Sequence, residues 1–120
     1  MKPAEADCYR LIQQIALQQD PVCFICQDHE SQAGHHLFKR DRLATAFLSE
    51  AVRGVCNECH RWAESNPAVE RTFMVKAMGP RYFDLERLSW QVVRHFDFKA
   101  ARTELREKLE AGDCAPAMRR

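Results

Sequence analysis

The sequence predicts an α+β fold, mainly helical, in which a small cysteine-stapled β-hairpin and helix are flanked by N- and C-terminal helices. Three observations predict it. Four of the six cysteines form two identical pairs, Cys23-x-x-Cys26 and Cys56-x-x-Cys59. Apolar residues before and after the pairs recur near a period of 3.6. Between the two pairs, only residues 33–38 and 52–55 read as extended.

With 120 residues the chain is a single domain, 1–120. A 46% apolar and 29% charged composition is that of a globular protein, and four Gly and five Pro exclude collagen-like and low-complexity classes. No apolar run approaches the roughly 18–20 residues of a membrane helix. Met1 to Asp7 has no apolar stretch behind its lysine, so no signal peptide is expected and the expected location is cytoplasmic. In that compartment thiols stay reduced, and six cysteines are not a disulfide framework. A net charge of +1 excludes a purely electrostatic, tail-like nucleic-acid binder. Acidic residues predominate in 1–30 and basic residues in 67–120, which is compatible with one face for an anionic partner.

The N-terminal helix is residues 1–20, with Ala6, Leu11, Ile12, Ile15 and Ala16 as its apolar stripe. It ends at Asp20-Pro21, since the residue before proline avoids the α region. The core, 21–66, starts irregular and turns extended through Ala33-Gly34-His35-His36-Leu37-Phe38. Asp41 is placed to cap a helix within 41–51, with Leu43, Ala44, Phe47 and Leu48 on one face. Val52-Arg53-Gly54-Val55 is extended, and a helix runs from Cys59 to about Ser65. The segment 67–112 is helical. Pro67 suits a first helical position and Gly79-Pro80 a stop. Asp84 is placed to cap a segment holding Leu85, Leu88, Trp90, Val92, Val93 and Phe96. Asp97 is placed to cap another with Ala101, Leu105 and Leu109, closed by Gly112, with Glu104 and Lys108 as an i,i+4 pair. Residues 113–120, ending Arg119-Arg120, are a tail.

Two residues between cysteines let both sulfurs reach one metal, and tetrahedral zinc wants four ligands. Cys23, Cys26, Cys56 and Cys59 complete such a structural zinc site. The 29-residue spacer is longer than the roughly 15–20 of the simplest template and fits a ribbon with an insertion. A redox Cys-x-x-Cys belongs to an α/β unit that is not visible here. An iron–sulfur cluster is the alternative metal centre. Cys8 and Cys114 read as ordinary thiols.

His35-His36 follow Ala33-Gly34, and His60 directly follows the last cysteine of the zinc set. A zinc-organised hairpin and helix would bring these imidazoles together. Imidazole binds divalent metals and takes protons near neutral pH. A hard cation with a histidine base is one way to hydrolyse a phosphodiester. His29 and His95 lack that context.

These residues carry a resemblance. Cys-x-x-Cys, then His-His-Leu, then Val-Cys-x-x-Cys-His-Arg resembles the zinc-bearing branch of the HNH, or ββα-metal, endonucleases over residues 23–66. The resemblance implies a ββα-metal-like fold with His36 as general base, His35 as a ligand of a divalent cation (Mg²⁺ or Mn²⁺) and His60 as the helix ligand. That family carries an orienting Asn shortly before the second knuckle. This chain has Ser49-Glu50-Ala51-Val52-Arg53 there, with Asn66 or Asn57 as substitutes. More narrowly, Ala33-Gly34-His35 between the knuckles and Ser65-Asn66 after them are similar to the NinG (Rap) recombination proteins of lambdoid phages. That likeness implies phage or prophage origin and branched or recombining DNA, and it places the single family histidine on His35.

Lys39, Arg40 and Arg42 follow the histidine pair, and Arg53 and Arg61 flank the second knuckle. Basic side chains around a hydrolytic centre neutralise phosphates and position the strand. Trp62 reads as core. The expected function is therefore a metal-dependent DNA endonuclease of HNH type, with DNA as partner, no membrane, and a dimer left open. The alternative is a non-catalytic zinc module that binds DNA or protein.

Overall fold

The computed structural model describes residues 1–112. In chain order they form α1 (Pro3–Gln19), β1 (Ala33–His36), α2 (Leu43–Ala46), a 3₁₀ turn (Ser49–Ala51), β2 (Val52–Val55), α3 (Asn57–Ser65), α4 (Pro67–Met78), α5 (Pro80–Ser89) and α6 (Phe98–Ala111). β1 and β2 are an antiparallel pair with Ala33 opposite Val55 and His36 opposite Val52. The mainly helical α+β expectation holds. Cys114 and Arg119-Arg120 lie outside the described residues. No helix among the described residues is long and apolar enough to cross a membrane.

Local chemistry sets the helix ends. Proline occupies the first turn of α1, α4 and α5, where its missing N–H costs nothing. The Asp97 carboxylate accepts from the Ala100 N–H at the start of α6, and Gly112 closes that helix in the left-handed region at φ 63°.

The hairpin separates two cores. One gathers Leu11, Ile12, Ile15 and Ala16 of α1 with Val52 and Leu105. The other gathers Cys23, Phe24, Phe38, Val55 and Cys56 with Met74, Tyr82 and Leu85 of α4 and α5. The seam between α1 and the hairpin is the cross-strand pair Gly34–Gly54. A Cβ on Gly54 would stand 2.6 Å from the Asp20 carbonyl oxygen and 2.8 Å from that of Ala16. One on Gly34 would stand 3.1 Å from Ala16 Cβ. Glycine is needed at 54 for close approach rather than for backbone freedom, while at 34 the neighbouring side chains would have to give by a few tenths of an ångström. Beside the seam, the Gln13 amide donates to the Gly34 carbonyl at 3.0 Å and accepts from its N–H at 2.8 Å, taking the place of a third strand.

Two expected helices differ. The one within 41–51 is a single turn, α2, followed by the 3₁₀ turn; Arg42, not Asp41, is its N-cap, and no side chain caps it. The Thr45 hydroxyl bonds back to the Arg42 carbonyl, and Phe47 leaves helical geometry at φ −118°. The segment at 84–96 begins earlier, at Pro80, and stops at Ser89, so Asp84 lies inside α5. The Ser89 hydroxyl donates to the Glu86 carbonyl at 2.6 Å, the group the next N–H would need, and Val92-Val93 then disfavours a helical continuation. Lys108 donates to Ser49 Oγ at 3.0 Å, tying α6 to the 3₁₀ turn in place of the expected Glu104 pairing. Cys8 is buried, with its thiol directed to the Phe98 carbonyl at 3.3 Å.

Candidate metal centre and histidine cavity

The two cysteine pairs are built differently and converge. In the first, the Cys23 N–H donates to the His29 carbonyl and the Gln27 N–H to the Cys23 carbonyl. Gln27, at φ 59°, makes the left-handed step that folds this knuckle. The second pair opens α3. Cys56 is the N-cap, and its Sγ accepts from the Cys59 N–H at 3.4 Å. The four sulfurs all lie within 4.8 Å of one another. Four thiolates around a tetrahedral zinc, at about 2.3 Å each, stand about 3.8 Å apart, so the donor set and its spacing fit a metal. Cys23 and Cys56 are buried, Cys59 is half-buried and Cys26 is exposed. Burial raises the Cys26 thiol, but N–H groups of Asp28 and His29 and the His29 ring outweigh it and bring it to about 6. Burial, with the neighbouring Cys56 and Cys23, pushes Cys59 up.

The histidines assemble beside this cluster. His35 is turned inward, 8% exposed, with Nε2 3.2 Å from Glu70 Oε1 on α4. His60, in the first turn of α3, places its ring centroid 5.4 Å from that of His35. Its Nε2 lies 2.9 Å from Glu64 Oε1, one turn along the same helix. His36 Nε2 lies 3.0 Å from the Ala46 carbonyl. A carbonyl only accepts, so Nε2 carries the hydrogen and Nδ1 keeps the ring's lone pair. Burial holds His36 below the usual imidazole range, against the Ala46 bond and with Arg40, His35 and His60 adding to the shift. Burial and His35 hold His60 down likewise. Both shifts favour the neutral ring, the form that binds metal or accepts a proton.

His35, His36, His60, Glu64 and Glu70 line one cavity of about 610 Å³, together with Tyr9, Gln13, Lys39 and Arg40. Three of the predicted site residues thus share a site with two of the predicted basic residues. Among the described residues, however, the four cysteines are the one group of three or more ligating side chains close enough to share an ion. The imidazoles and carboxylates of the cavity face each other in pairs and do not converge to that degree.

The other predicted residues lie apart. Arg53 is buried, 5% exposed, and its Nε and Nη2 bond both oxygens of the buried Asp20 carboxylate at 3.1 and 2.9 Å. It is a strut between α1 and β2 and not a surface cation for phosphate. The Asn66 amide donates to the Trp62 carbonyl at 2.9 Å, closing the end of α3 outside the cavity and away from the histidines that line it. Asn57 is exposed at the start of α3. Arg61 is exposed on α3, and Trp62 packs edge-on against Phe73. Arg40 lies over the Tyr9 ring at 4.4 Å, and the Tyr9 hydroxyl donates to the Arg40 carbonyl at 2.8 Å.

Sequence reasoning missed Glu64, Glu70, Tyr9 and Gln13. Glu64 was findable, because position i+4 from His60 shares its helix face. Glu70 was not, because nothing in the pattern of α4 distinguishes a buried acid from a solvated one. Comparison of the chain with family models, curated proteins and solved structures finds no match.

Proposed function

We propose that the chain is a metal-dependent DNA endonuclease of HNH type, with structural zinc on Cys23, Cys26, Cys56 and Cys59 and a catalytic Mg²⁺ or Mn²⁺ at the histidine cavity. The observation that carries this reading is the tautomer of His36: its Nε2–H is tied to the Ala46 carbonyl, leaving Nδ1 as the acceptor on a cavity wall shared with His35, His60, Glu64 and Glu70. Four thiolates fill a tetrahedral zinc and leave it no open position, so hydrolysis needs a second cation. His35 and His60, with Glu64 and Glu70 rotating off them, are the side chains available to hold it. When bound, that cation would stabilise the charge that develops on the phosphate. His36 Nδ1 takes the proton of the attacking water, and Lys39 and Arg40 hold the flanking phosphates. The family likeness of the sequence supports phage or prophage DNA processing as the setting.

The test is nicking of supercoiled plasmid by zinc-loaded protein, with and without added Mg²⁺ or Mn²⁺, for wild type and His36→Ala. Cleavage that needs the added cation and is lost in the variant is the expected result. If His35→Ala kills cleavage while His36→Ala cuts, the base is His35. One observation favours the second reading, a non-catalytic zinc module that binds DNA or protein: the cavity's ligands do not converge as the cysteines do. No cleavage of linear, supercoiled or branched DNA with either cation would establish that reading instead.

A further inference from the structure

Most arginines of the described residues are already paired. Arg10, Arg53, Arg71, Arg81, Arg87, Arg102 and Arg106 each meet a carboxylate. Lys39, Arg40 and Arg42 meet none within ion-pair distance among the described residues, although Asp41 lies between them in sequence. Arg42 instead lies over Trp90, its guanidinium carbon 3.7 Å from the ring centroid.

Trp90 is an anomaly of its own. It is 67% exposed even with a guanidinium against one face, and Val92 beside it is 81% exposed. An indole left open at the surface costs apolar hydration that burial would have removed. The guanidinium has a second contact. Arg42 Nη1 reaches Ser89 Oγ at 3.5 Å, and Ser89 is buried and bonded to the Glu86 carbonyl. An indole this exposed, with one face against a cation that meets no carboxylate within ion-pair distance, is what a nucleobase stacks on. In sequence Arg42 lies two residues beyond Arg40, which lines the cavity.

We propose that Trp90, backed by Arg42, is a stacking platform for an unpaired base of the DNA strand held at the histidine cavity. The proposal rests on the nuclease reading only for what the cavity holds. It commits to DNA with an exposed base, because a continuous duplex offers no free base face to the ring. Arg42 then serves twice, polarising the ring and neutralising the neighbouring phosphate.

The test uses zinc-loaded, full-length protein in a His36→Ala background with no Mg²⁺ or Mn²⁺ added. Fluorescence anisotropy would compare a labelled oligothymidylate, longer than the roughly 4–16 nucleotides one module covers, with a duplex of equal length. Trp90→Ala should weaken the oligothymidylate roughly ten-fold or more and the duplex less than about two-fold, with Trp90→Phe restoring most of the loss. In a Trp62→Phe background, where Trp90 is the remaining tryptophan, the oligothymidylate should quench emission in step with the anisotropy. Equal losses on both DNAs, no loss, no binding by the parent protein or unchanged emission would each overturn the platform. These readouts are independent of cleavage. Plasmid nicking with a neutral Trp90→Ala sinks the platform alone, and a working platform without nicking sinks the nuclease alone.

Discussion

The cysteine cluster and the histidine cavity meet in sequence at Cys59 and His60, and they are assembled in different ways. The four sulfurs lie within 4.8 Å of one another, drawn from two short knuckles. The three imidazoles instead each lean on a different partner: His35 on Glu70 of α4, His36 on the Ala46 carbonyl of α2, His60 on Glu64 of its own helix. A cluster whose ligands face inward is complete once it holds an ion and has nothing to offer a substrate. A cavity whose ligands sit on its walls keeps its interior for something else. One turn of α3 serves both, since Cys56 caps it, Cys59 closes the metal set and His60 faces the cavity. The cysteine cluster thereby shares the helix that carries His60 to the cavity.

Dependence through that helix is expected to run in one direction, and mutation can show it. Cys23→Ser should lose the metal and the cooperative unfolding transition together, because a structural zinc contributes on the order of 10 kcal/mol to folding. Cys8, just as buried, lies outside the cluster, and Cys8→Ser should keep full metal content and lose only about 1 kcal/mol. Elemental analysis with far-UV circular dichroism reads both. If Cys23→Ser keeps its fold without metal, the two regions are independent. From the other side, His36→Ala should lower cleavage by about 10² to 10⁴, the usual worth of a general base, with metal content and folded signal unchanged. A variant that loses zinc as well would mean the cavity supports the cluster.

The seam under the hairpin carries both regions, since β1 holds the histidines and β2 leads into Cys56. Gly54→Ala places a Cβ against the backbone oxygens of Ala16 in α1 and of Asp20 at its C-cap, which cannot move aside, and should cost about 3 kcal/mol. Gly34→Ala meets a methyl and the flexible Gln13 side chain, and should cost about 1 kcal/mol. Thermal unfolding of the two variants measures the difference. Equal shifts would show that α1 yields to the hairpin and is not the surface it is pressed on.

The cluster was legible in the sequence and much of the cavity was not, for physical reasons. Ligand spacing is local: Cys-x-x-Cys states which atoms share an ion before any fold is known. Helix periodicity is local too, and α1, α4 and α6 lie where the apolar stripes and caps put them. Burial of polar groups is not local. Arg53 reads as one more cation beside the knuckle, and only the fold shows that Asp20, 33 positions away, has claimed it. Glu70 is the reverse case, an acid in a solvated-looking helix that proves to face His35. The helix stop at Ser89 depended on a hydroxyl taking one carbonyl, which no count of apolar residues detects.

The same distinction between claimed and unclaimed charge yields the smallest expected effect. Each phosphate neutralised by a protein cation adds about 0.9 to the slope of log affinity against log salt on duplex DNA. Lys39 and Arg40 line the cavity and meet no carboxylate among the described residues, so Lys39→Gln and Arg40→Gln should each lower that slope by about one. Arg61 is exposed on α3 but does not line the cavity, so Arg61→Gln separates a phosphate path that follows the cavity from one that follows the helix. Arg81, exposed and bonded to both oxygens of Glu50, is the control: Arg81→Gln should leave the slope unchanged, because its charge is already answered within the protein. Titrations of a labelled duplex between roughly 50 and 200 mM salt resolve a change of one contact. A slope that falls equally for Arg81→Gln and Arg40→Gln would mean that net charge alone attracts the DNA, and that pairing within the fold does not select which arginines bind it.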